Sequence, residues 1–250
     1  MGRFDGRTAL LTGAASGIGR ATAVRLASEG AVIYGADVDD AGLKETTRLV
    51  EAAGGAMCSG RHDLTRREEC AGAVEAAVSE LGRLDVLGNI AGASRFHLFE
   101  QMPEDEWHFL IAINLSAVAF TSQAAIPHLL ASRGAIVNVA SVAANVGQAY
   151  TVAYCAAKGG VAQLTRALAA EYIETGLRVN AVAPGGVKTP LAGKIDFPEG
   201  MDWKLAKRYM GRREMSEPEE IAAAIAYLAS DEARSIHGAI LAIDGGISAT

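Results

Sequence analysis

The amino-acid sequence predicts an α/β fold in which a doubly wound parallel sheet of seven strands is covered by helices on both faces. Short β-rich runs alternate with longer stretches of helical periodicity, the pattern that produces parallel sheets through crossover helices. Several strand-like runs are apolar throughout, as expected of strands covered on both faces. No linker or shift in composition divides the 250 residues, so a single domain over residues 1–250 is expected.

The strands are predicted where apolar and β-branched residues form short runs that end at polar or turn-forming residues. In chain order they lie near Thr8–Gly13, Ala31–Val38, Ala56–Asp63, Leu84–Ile90, Ala135–Ser141, Leu177–Pro184 and Ala239–Asp244. Between them, apolar residues that recur every three to four positions predict six helices. These lie near Gly17–Glu29, Ala41–Ala53, Arg66–Leu81, Glu104–Ala131, Thr151–Thr175 and Glu217–Ser230. The last helix has a start signal, since Ser216 and Glu219 form a capping box and Pro218 is tolerated in the first turn.

Composition restricts the class of protein. Half of the residues are hydrophobic and charges of both signs are spread along the chain, which is typical of a globular protein with a substantial core. The formal net charge of −6 argues against nucleic-acid binding, because neutralising phosphates requires a concentrated basic surface.

Cysteine usage and the N-terminus indicate the compartment. The three cysteines, Cys58, Cys70 and Cys155, are an odd number and lack metal-ligand spacing, so neither a disulfide framework nor a metal site is expected. The apolar stretch near the N-terminus is too short for a signal sequence or a membrane span. A cytoplasmic protein without membrane attachment is therefore expected.

A glycine-rich loop follows the first predicted strand and opens directly into the first predicted helix. It reads Thr12-Gly13-Ala14-Ala15-Ser16-Gly17-Ile18-Gly19. Glycines let the backbone turn tightly and approach a pyrophosphate, whose charge is met by N–H groups at the helix N-terminus. An acidic residue, Asp37, ends the next strand 18 residues after Gly19, as dinucleotide binding requires. The combination predicts a Rossmann-like dinucleotide site.

Asp37 bears on the choice of cofactor. Its carboxylate would accept hydrogen bonds from the adenosine ribose hydroxyls and repel a 2′-phosphate. A phosphate-bearing cofactor favours a neighbouring arginine, and none stands at Ser16 or Val38. NAD(H) is therefore expected rather than NADP(H). The alternative is that Asp37 only forms a turn ahead of Asp39 and Asp40.

Tyr154 and Lys158 are four residues apart near the start of a predicted helix, so both side chains can project into one site. A free phenol titrates near pH 10, and a nearby positive charge stabilises the phenolate. Tyr154 could then exchange a proton with an alcohol. This spacing is common on helices and is weak evidence by itself. Ser141, which ends an apolar strand 13 residues earlier, supports the interpretation as a catalytic site. Sites of parallel sheets lie at such strand ends.

Further motifs occur in order along the chain. They are Thr12-Gly13-x-x-x-Gly17-Ile18-Gly19, Asn89-x-Ala91-Gly92, Asn114 and Pro184-Gly185. Together with Ser141 and Tyr154-x-x-x-Lys158, they make the sequence resemble the short-chain dehydrogenase/reductase family from Thr8 to Gly246. The family commonly has a second Asn where this chain has Ile90, so sheet hydrogen bonding is expected to differ there without affecting catalysis.

The resemblance implies a catalytic tetrad of Asn114, Ser141, Tyr154 and Lys158, in which Asn114 holds a water that links Lys158 to solvent. It also implies a homotetramer, nicotinamide-ribose binding by Lys158 and a carboxamide contact from Thr189. Asp63, at the end of the third strand, either reaches the adenine or only forms a turn. The expected cofactor residues are Gly13, Ser16, Gly17, Ile18, Gly19, Asp37, Val38, Asp63, Leu64, Asn89, Ala91, Gly92, Tyr154, Lys158, Pro184, Gly185, Val187 and Thr189.

The segment 191–213 departs from the alternating pattern and is predicted to cover a pocket. The alternative is a surface helix pair that packs on the core or on a neighbouring subunit. By position, the candidate substrate residues are Ser94, Arg95, Gln148 and Trp203. The segment carries six basic and three acidic residues, which favours an anionic substrate, whereas its apolar residues favour a bulky hydrophobic alcohol.

These features predict an NAD(H)-dependent oxidoreductase that interconverts a secondary alcohol and a ketone, with Tyr154 as general acid/base. Two alternatives remain. One is a carbonyl reductase that prefers NADP(H), and the other is a non-catalytic dinucleotide-sensing protein of the same fold.

Overall fold

A computed structural model describes residues 2–194, 196–207, 209–211 and 213–249 and contains one sheet of seven parallel strands. The strand order is β3-β2-β1-β4-β5-β6-β7, which confirms the predicted doubly wound sheet. The strands are β1 Thr8–Thr12, β2 Val32–Asp37, β3 Ala56–Arg61, β4 Val86–Asn89, β5 Ala135–Val139, β6 Arg178–Pro184 and β7 Ile240–Ile243. Each begins within two residues of its predicted position.

Helices cover both faces of the sheet. They are α1 Gly17–Ser28, α2 Asp40–Ala52, α3 Arg67–Leu81, α4 Glu104–Ile111, α5 Ala117–Ser132, α6 Val152–Glu171, α7 Trp203–Ala206 and α8 Pro218–Ala229. One hydrophobic core lies on the face of α1 and α8, centred on side chains such as Leu26 and Ile225. A second lies under α3 and α5, around Leu87 and Leu129, and a smaller third contains Val118 and Val161.

The strand order positions the site. β1 pairs with β2 on one side and with β4 on the other, Leu10 lying opposite Tyr34 and Leu87. The chain therefore winds outward in opposite directions from β1 and leaves a crevice at the carboxyl ends of the strands, where ligands of doubly wound sheets bind.

The predicted long helix near Glu104–Ala131 is wrong in one respect, because it is interrupted. A π-helical turn, Ala112–Ser116, separates α4 from α5. A π turn closes its hydrogen bonds one residue later than an α turn. Apolar periodicity does not record such a single-residue insertion, so the sequence predicted one continuous helix.

The start of α8 lies one residue later than the predicted capping box. Ser216 pairs with Val187 in an isolated β-bridge, so its backbone is held outside the helix. Glu217 is the N-cap instead, and its backbone N–H donates to the Glu220 carboxylate at 2.7 Å. The prediction for Pro218 holds, because it occupies the first helical position.

By length and hydropathy, the joined helix over Glu104–Ser132 is apolar enough to cross a membrane. Within the chain, 44% of its most apolar stretch is buried. Its first turn carries Glu104, Asp105 and Glu106. Helices that cover the core of a sheet have the same composition and pass the same test of length and hydropathy.

Candidate active site

Two adjoining cavities of about 550 and 390 Å³ open at the carboxyl edge of the sheet. Ile18, Ile90, Gly92, Thr189 and Leu191 line both. The smaller cavity is bordered by the glycine-rich loop and the ends of β2 and β3. The larger one is bordered by all four predicted tetrad residues and by Pro184, Gly185 and Val187. Hereafter these are the loop cavity and the tetrad cavity.

The glycine-rich loop is shaped by backbone contacts that leave no room for side chains. Gly13 has φ +68°, and a Cβ there would lie 2.8 Å from the Cα of Ala91. A Cβ on Gly19 would lie 2.0 Å from the carbonyl oxygen of Gly13. The loop therefore closes tightly on the N-terminus of α1, and Gly13, Ser16, Gly17 and Gly19 all line the loop cavity.

Asp37 fixes the far side of the loop cavity. Its carboxylate accepts hydrogen bonds from the backbone N–H groups of Ala15 at 3.1 Å and Val38 at 2.7 Å. A third bond comes from Asp39 N–H at 3.1 Å. The side chain thus forms the predicted turn and still borders the cavity, so the two interpretations made from the sequence are compatible.

Asp63 and Leu64 also line the loop cavity. The Asp63 carboxylate accepts from the hydroxyl of Thr65 at 2.7 Å and from its N–H at 3.1 Å. These bonds hold the pKa of Asp63 below its usual value. The carboxylate is therefore ionised at neutral pH and able to accept from an amino group.

Ser141 and Tyr154 meet in the tetrad cavity. Ser141 follows β5 and is nearly buried, and its Oγ accepts the N–H of Ala143 at 3.1 Å. This bond caps a short 3-10 turn and fixes the hydroxyl. A hydrogen bond joins the Ser141 and Tyr154 side chains. The two hydroxyls are therefore placed to bind one oxygen atom of a substrate.

Lys158 lies one turn after Tyr154 on α6 and is 3% exposed. Its Nζ donates to the carbonyl oxygen of Val139, the last residue of β5, at 2.8 Å. The same nitrogen lies 5.7 Å from the centre of the Tyr154 ring. Burial lowers the pKa of Lys158 to about 8.

Burial also raises the pKa of Tyr154, and the hydrogen bond from Ser141 acts in the opposite direction. From the sequence we expected the positive charge of Lys158 to dominate and lower this pKa. Desolvation of the phenolate is the larger effect. A positive charge brought in by a ligand would shift the balance toward the phenolate.

Asn114 is fully buried in the π turn. Its amide donates to the carbonyl oxygens of Ala93 at 2.8 Å and Leu110 at 3.0 Å, and its Oδ1 accepts from Ala93 N–H at 3.2 Å. A Cβ on Gly92 would lie 2.8 Å from this Oδ1 and 3.5 Å from the Nζ of Lys158. Asn114 and Lys158 therefore face the same glycine, and the site depends on its lack of a side chain.

Three predicted site residues lie outside both cavities. Asn89 is buried and donates from its amide to Asn138 at 2.9 Å and Ser122 at 3.1 Å, so its side chain links β4 to β5 and α5. Arg95 packs over the Phe109 ring and lies 3.9 Å from Glu106. The Trp203 ring packs against that of Phe197 in a tilted arrangement, 4.8 Å between ring centres. Ser94 and Gln148 do line the tetrad cavity.

Several lining residues of the tetrad cavity were not identified from the sequence. Phe96, Val142, Met215 and Ile247 contribute to its wall. Single apolar residues in loops carry no recognisable spacing, and only their positions after β4, β5, β6 and β7 could have indicated them. Arg208 and Arg212 of the predicted basic segment lie outside the described residues.

The residues present fit a dinucleotide. The backbone of the glycine-rich loop forms a cradle at the N-terminus of α1, and side chains in place of its glycines would fill this cradle. Such a cradle suits a pyrophosphate. A carboxylate at the end of β2, that of Asp37, suits ribose hydroxyls. Both lie in the loop cavity, which shares five lining residues with the tetrad cavity. Among the described residues, no cluster of His, Cys, Asp or Glu is arranged to hold a metal ion.

Comparison with known proteins identifies relatives along nearly the whole chain. A family model described as enoyl-(acyl carrier protein) reductase matches residues 13–248. The chain is 38% identical over 247 residues to a 3-oxoacyl-acyl-carrier-protein reductase of Thermotoga maritima, covering 98% of this chain and 99% of that one. It is 43% identical over 249 residues to a cis-4-hydroxycyclohexanecarboxylate dehydrogenase of Sinomonas cyclohexanicum, covering 98% of each. A crystal structure of a short chain dehydrogenase from Mycobacterium paratuberculosis bound to NAD superposes with a TM-score of 0.92 at 31% identity, covering 100% of both chains.

Proposed function

Because the chain belongs to the short-chain dehydrogenase/reductase family, we propose that it is an NAD(H)-dependent oxidoreductase that interconverts a secondary alcohol and a ketone. The observation that carries this proposal is the meeting of Ser141, Tyr154 and Lys158 in a cavity that adjoins the glycine-rich loop. Each has a separate chemical role.

Tyr154 is the proton-transfer residue. In the oxidation direction its phenolate accepts the hydroxyl proton of the alcohol as the carbon–oxygen double bond forms, and in reduction its phenol returns that proton to the ketone oxygen. NAD, when bound, supplies the acceptor or donor of the hydride that leaves or reaches the same carbon. Ser141 donates a hydrogen bond to the reacting oxygen and holds it beside Tyr154.

Lys158 and Asn114 support the proton transfer. The charge of Lys158 stabilises the phenolate, and its bond to Val139 fixes that charge against the strand end. Asn114 is held by its bonds to Ala93 and Leu110, and we assign to it the water that connects Lys158 to solvent. We assign to Lys158, in addition, the hydroxyls of the nicotinamide ribose.

NAD(H) is proposed over NADP(H) because the Asp37 carboxylate borders the loop cavity and a 2′-phosphate would be repelled by it. The turn that Asp37 makes with Ala15 and Val38 holds the carboxylate in place. In the same cavity we assign the adenine to Asp63 and Leu64, and in the tetrad cavity we assign the nicotinamide to Pro184, Gly185, Val187 and Thr189.

We also propose a homotetramer. A little over half of the most apolar stretch of Glu104–Ser132 is not buried within the chain, and Phe109 and Val152 are exposed near it. Exposed apolar helix surface of this kind is typical of subunit contacts. Sedimentation velocity tests the assembly, and a monomer at micromolar concentration would contradict it.

A panel of secondary alcohols with NAD⁺, and of the corresponding ketones with NADH, tests the proposed reaction through absorbance at the nicotinamide band. Turnover with at least one pair is expected. Binding of NAD measured by calorimetry without turnover on any pair would favour a dinucleotide-sensing protein instead. Turnover with NADPH at higher kcat/KM than with NADH would favour the NADP(H) alternative.

A further inference from the structure

The tetrad cavity has a wall of apolar side chains that the chain itself leaves uncovered. Leu191, Phe197, Met210 and Met215 are each 37–45% exposed, and all four line this cavity. Large apolar side chains that converge in this way mark a ligand site, whereas singly scattered ones do not. We define these four residues, with Phe96 and Val142, as the apolar wall.

Aromatic contacts join two distant parts of the apolar wall. Phe96 follows β4, and its ring meets Phe197 edge-on at 5.2 Å between centres. Phe197 in turn contacts the Trp203 ring in a tilted arrangement, 4.8 Å between centres. Such pairs stabilise one another beyond the burial of their area, so contacts within the chain hold this part of the wall together.

Two tyrosines anchor the segment that carries the apolar wall. The hydroxyl of Tyr209 donates to the carbonyl oxygen of Ala149 at 2.9 Å, and that of Tyr150 accepts from Asp202 N–H at 2.9 Å. The Tyr150 carbonyl accepts from His97 N–H, also at 2.9 Å. The loop before α6 and the loop after β4 are thus tied to Asp202 and Tyr209 of the covering segment, beside the helix that bears Tyr154.

Among the residues that the structure describes, the charged side chains that line the tetrad cavity are equal in number for the two signs. Of the residues that the structure describes, Lys158 and Arg213 are its basic lining residues, and Glu214 and Asp244 are its acidic ones. Lys158 is bonded to Val139, and Asp244 accepts from Gly246 and Ser248. The described lining therefore offers no excess of positive charge to an anionic substrate.

We infer that the site takes a bulky, uncharged alcohol or ketone whose apolar body lies on the apolar wall while its oxygen lies between Ser141 and Tyr154. This inference rests on the proposed function and selects between the two substrate classes left open by the sequence. A carboxylate would lose its hydration against Phe96 and Phe197 without gaining a partner there. A small alcohol would leave the wall exposed.

The test compares matched substrates with NAD⁺. 4-tert-Butylcyclohexanol, propan-2-ol and the carboxylate 3-hydroxybutyrate are assayed beside the neutral ethyl ester of that acid. We expect kcat/KM to be highest for the bulky alcohol and at least tenfold higher for the ester than for the carboxylate. Equal or better turnover of the carboxylate would overturn the inference.

Variants test whether the preference for the bulky alcohol depends on the apolar wall. Phe197→Ala is expected to lower kcat/KM for the bulky alcohol about tenfold or more and to change that for propan-2-ol little, because only the larger substrate reaches the wall. Phe99→Ala is the matched control, since Phe99 is 59% exposed and lies outside the described lining of the cavity. Equal loss in both variants, or equal loss on both substrates, would contradict the inference.

Thermal stabilisation separates this inference from the proposed function. In the presence of NAD⁺, the bulky alcohol is expected to raise the Tm of the wild type more than that of Phe197→Ala, and 3-hydroxybutyrate is expected to raise neither. If that pattern is found without turnover, the substrate class stands and the proposed reaction fails. If the carboxylate gives the larger shift, the substrate class fails.

Discussion

The side-chain nitrogen of Lys158 lies 5.7 Å from the centre of the Tyr154 ring and 2.8 Å from the carbonyl oxygen of Val139. The helix sets the first distance and the end of β5 sets the second. Because the same nitrogen is bonded to the end of β5, moving its charge away from the phenol would break that hydrogen bond. Substitution of Tyr154 and substitution of Lys158 each test this pair.

Tyr154→Phe removes the proton-transfer hydroxyl and keeps the ring. We expect kcat to fall about 100-fold or more, while the Kd for NAD⁺ changes little because the glycine-rich loop and Asp37 are intact. Steady-state kinetics and calorimetry measure the two quantities. Retained turnover in this variant would show that Tyr154 is not the acid/base.

Lys158→Met tests the lowered pKa of Lys158. The native state prefers neutral Lys158 above pH of about 8, whereas the unfolded chain keeps the ammonium up to its ordinary value of 10.5. The unfolded state therefore binds more protons between these values, and the stability of the wild type relative to the variant rises with pH across that window by roughly 3 kcal/mol. Urea unfolding of both proteins at pH 7 and pH 10 measures the difference, and a flat or falling difference would contradict burial of the charge.

Asp37→Asn removes the negative charge and retains an oxygen that can accept from Val38 N–H. We expect the ratio of NADPH to NADH affinity to rise about tenfold, since the repulsion of a 2′-phosphate is lost. Nicotinamide fluorescence titrations give both affinities. Asp63→Asn serves as control, and an equal change of the ratio there would mean that Asp37 does not set the preference.

Arg178→Met tests a structural role remote from the site. The Arg178 guanidinium donates to the carbonyl oxygens of Leu228, Ala229, Ser230 and Ala233, at 2.6–3.2 Å, and so closes the C-terminal end of α8. Its loss leaves these oxygens without a charged partner, and we expect the free energy of unfolding to fall by about 3 kcal/mol. Denaturant titration measures this, and kcat at a permissive temperature should stay near the wild-type value.

Tyr150→Phe tests the anchoring of the apolar wall. Tyr150 has φ +69°, a conformation unfavourable for a residue with a Cβ, and the variant keeps that backbone while removing the bond to Asp202. We expect KM for a bulky alcohol to rise about threefold to tenfold with kcat nearly unchanged, because one hydrogen bond of about 1 kcal/mol is lost from the wall and none from the tetrad. Faster proteolysis within 196–211 is the structural readout. A fall in kcat with unchanged KM would place Tyr150 with the proton-transfer group instead.

The sequence predicted the strands and the cofactor loop well, for a physical reason. Strands that are buried on both faces consist of apolar residues, so they appear in the sequence as apolar runs. At Gly13 and Gly19 a side chain would clash with the backbone, so these positions require glycine. Ser141 was identifiable because it directly follows such a run. Each of these features is determined by residues that are close together in the sequence.

Features that depend on contacts between distant segments were not predictable in this way. Asn89 lies in a recognisable motif, yet its amide bonds to Asn138 and Ser122. Ser216 had the composition of a helix cap, but its pairing with Val187 moved the cap to Glu217. The apolar wall brings Phe96 to Phe197, a hundred residues later. Its members could be identified only once the chain was folded.

The position of Asn114 depends on the number of residues in the π turn Ala112–Ser116. Deleting one residue from this turn would restore a regular helix and rotate α4 by about 100° relative to α5. The asparagine would then leave Gly92 and Lys158 even though every side chain of the tetrad was still encoded. A single-codon deletion between α4 and α5 is therefore expected to disable the tetrad without changing any of its four residues.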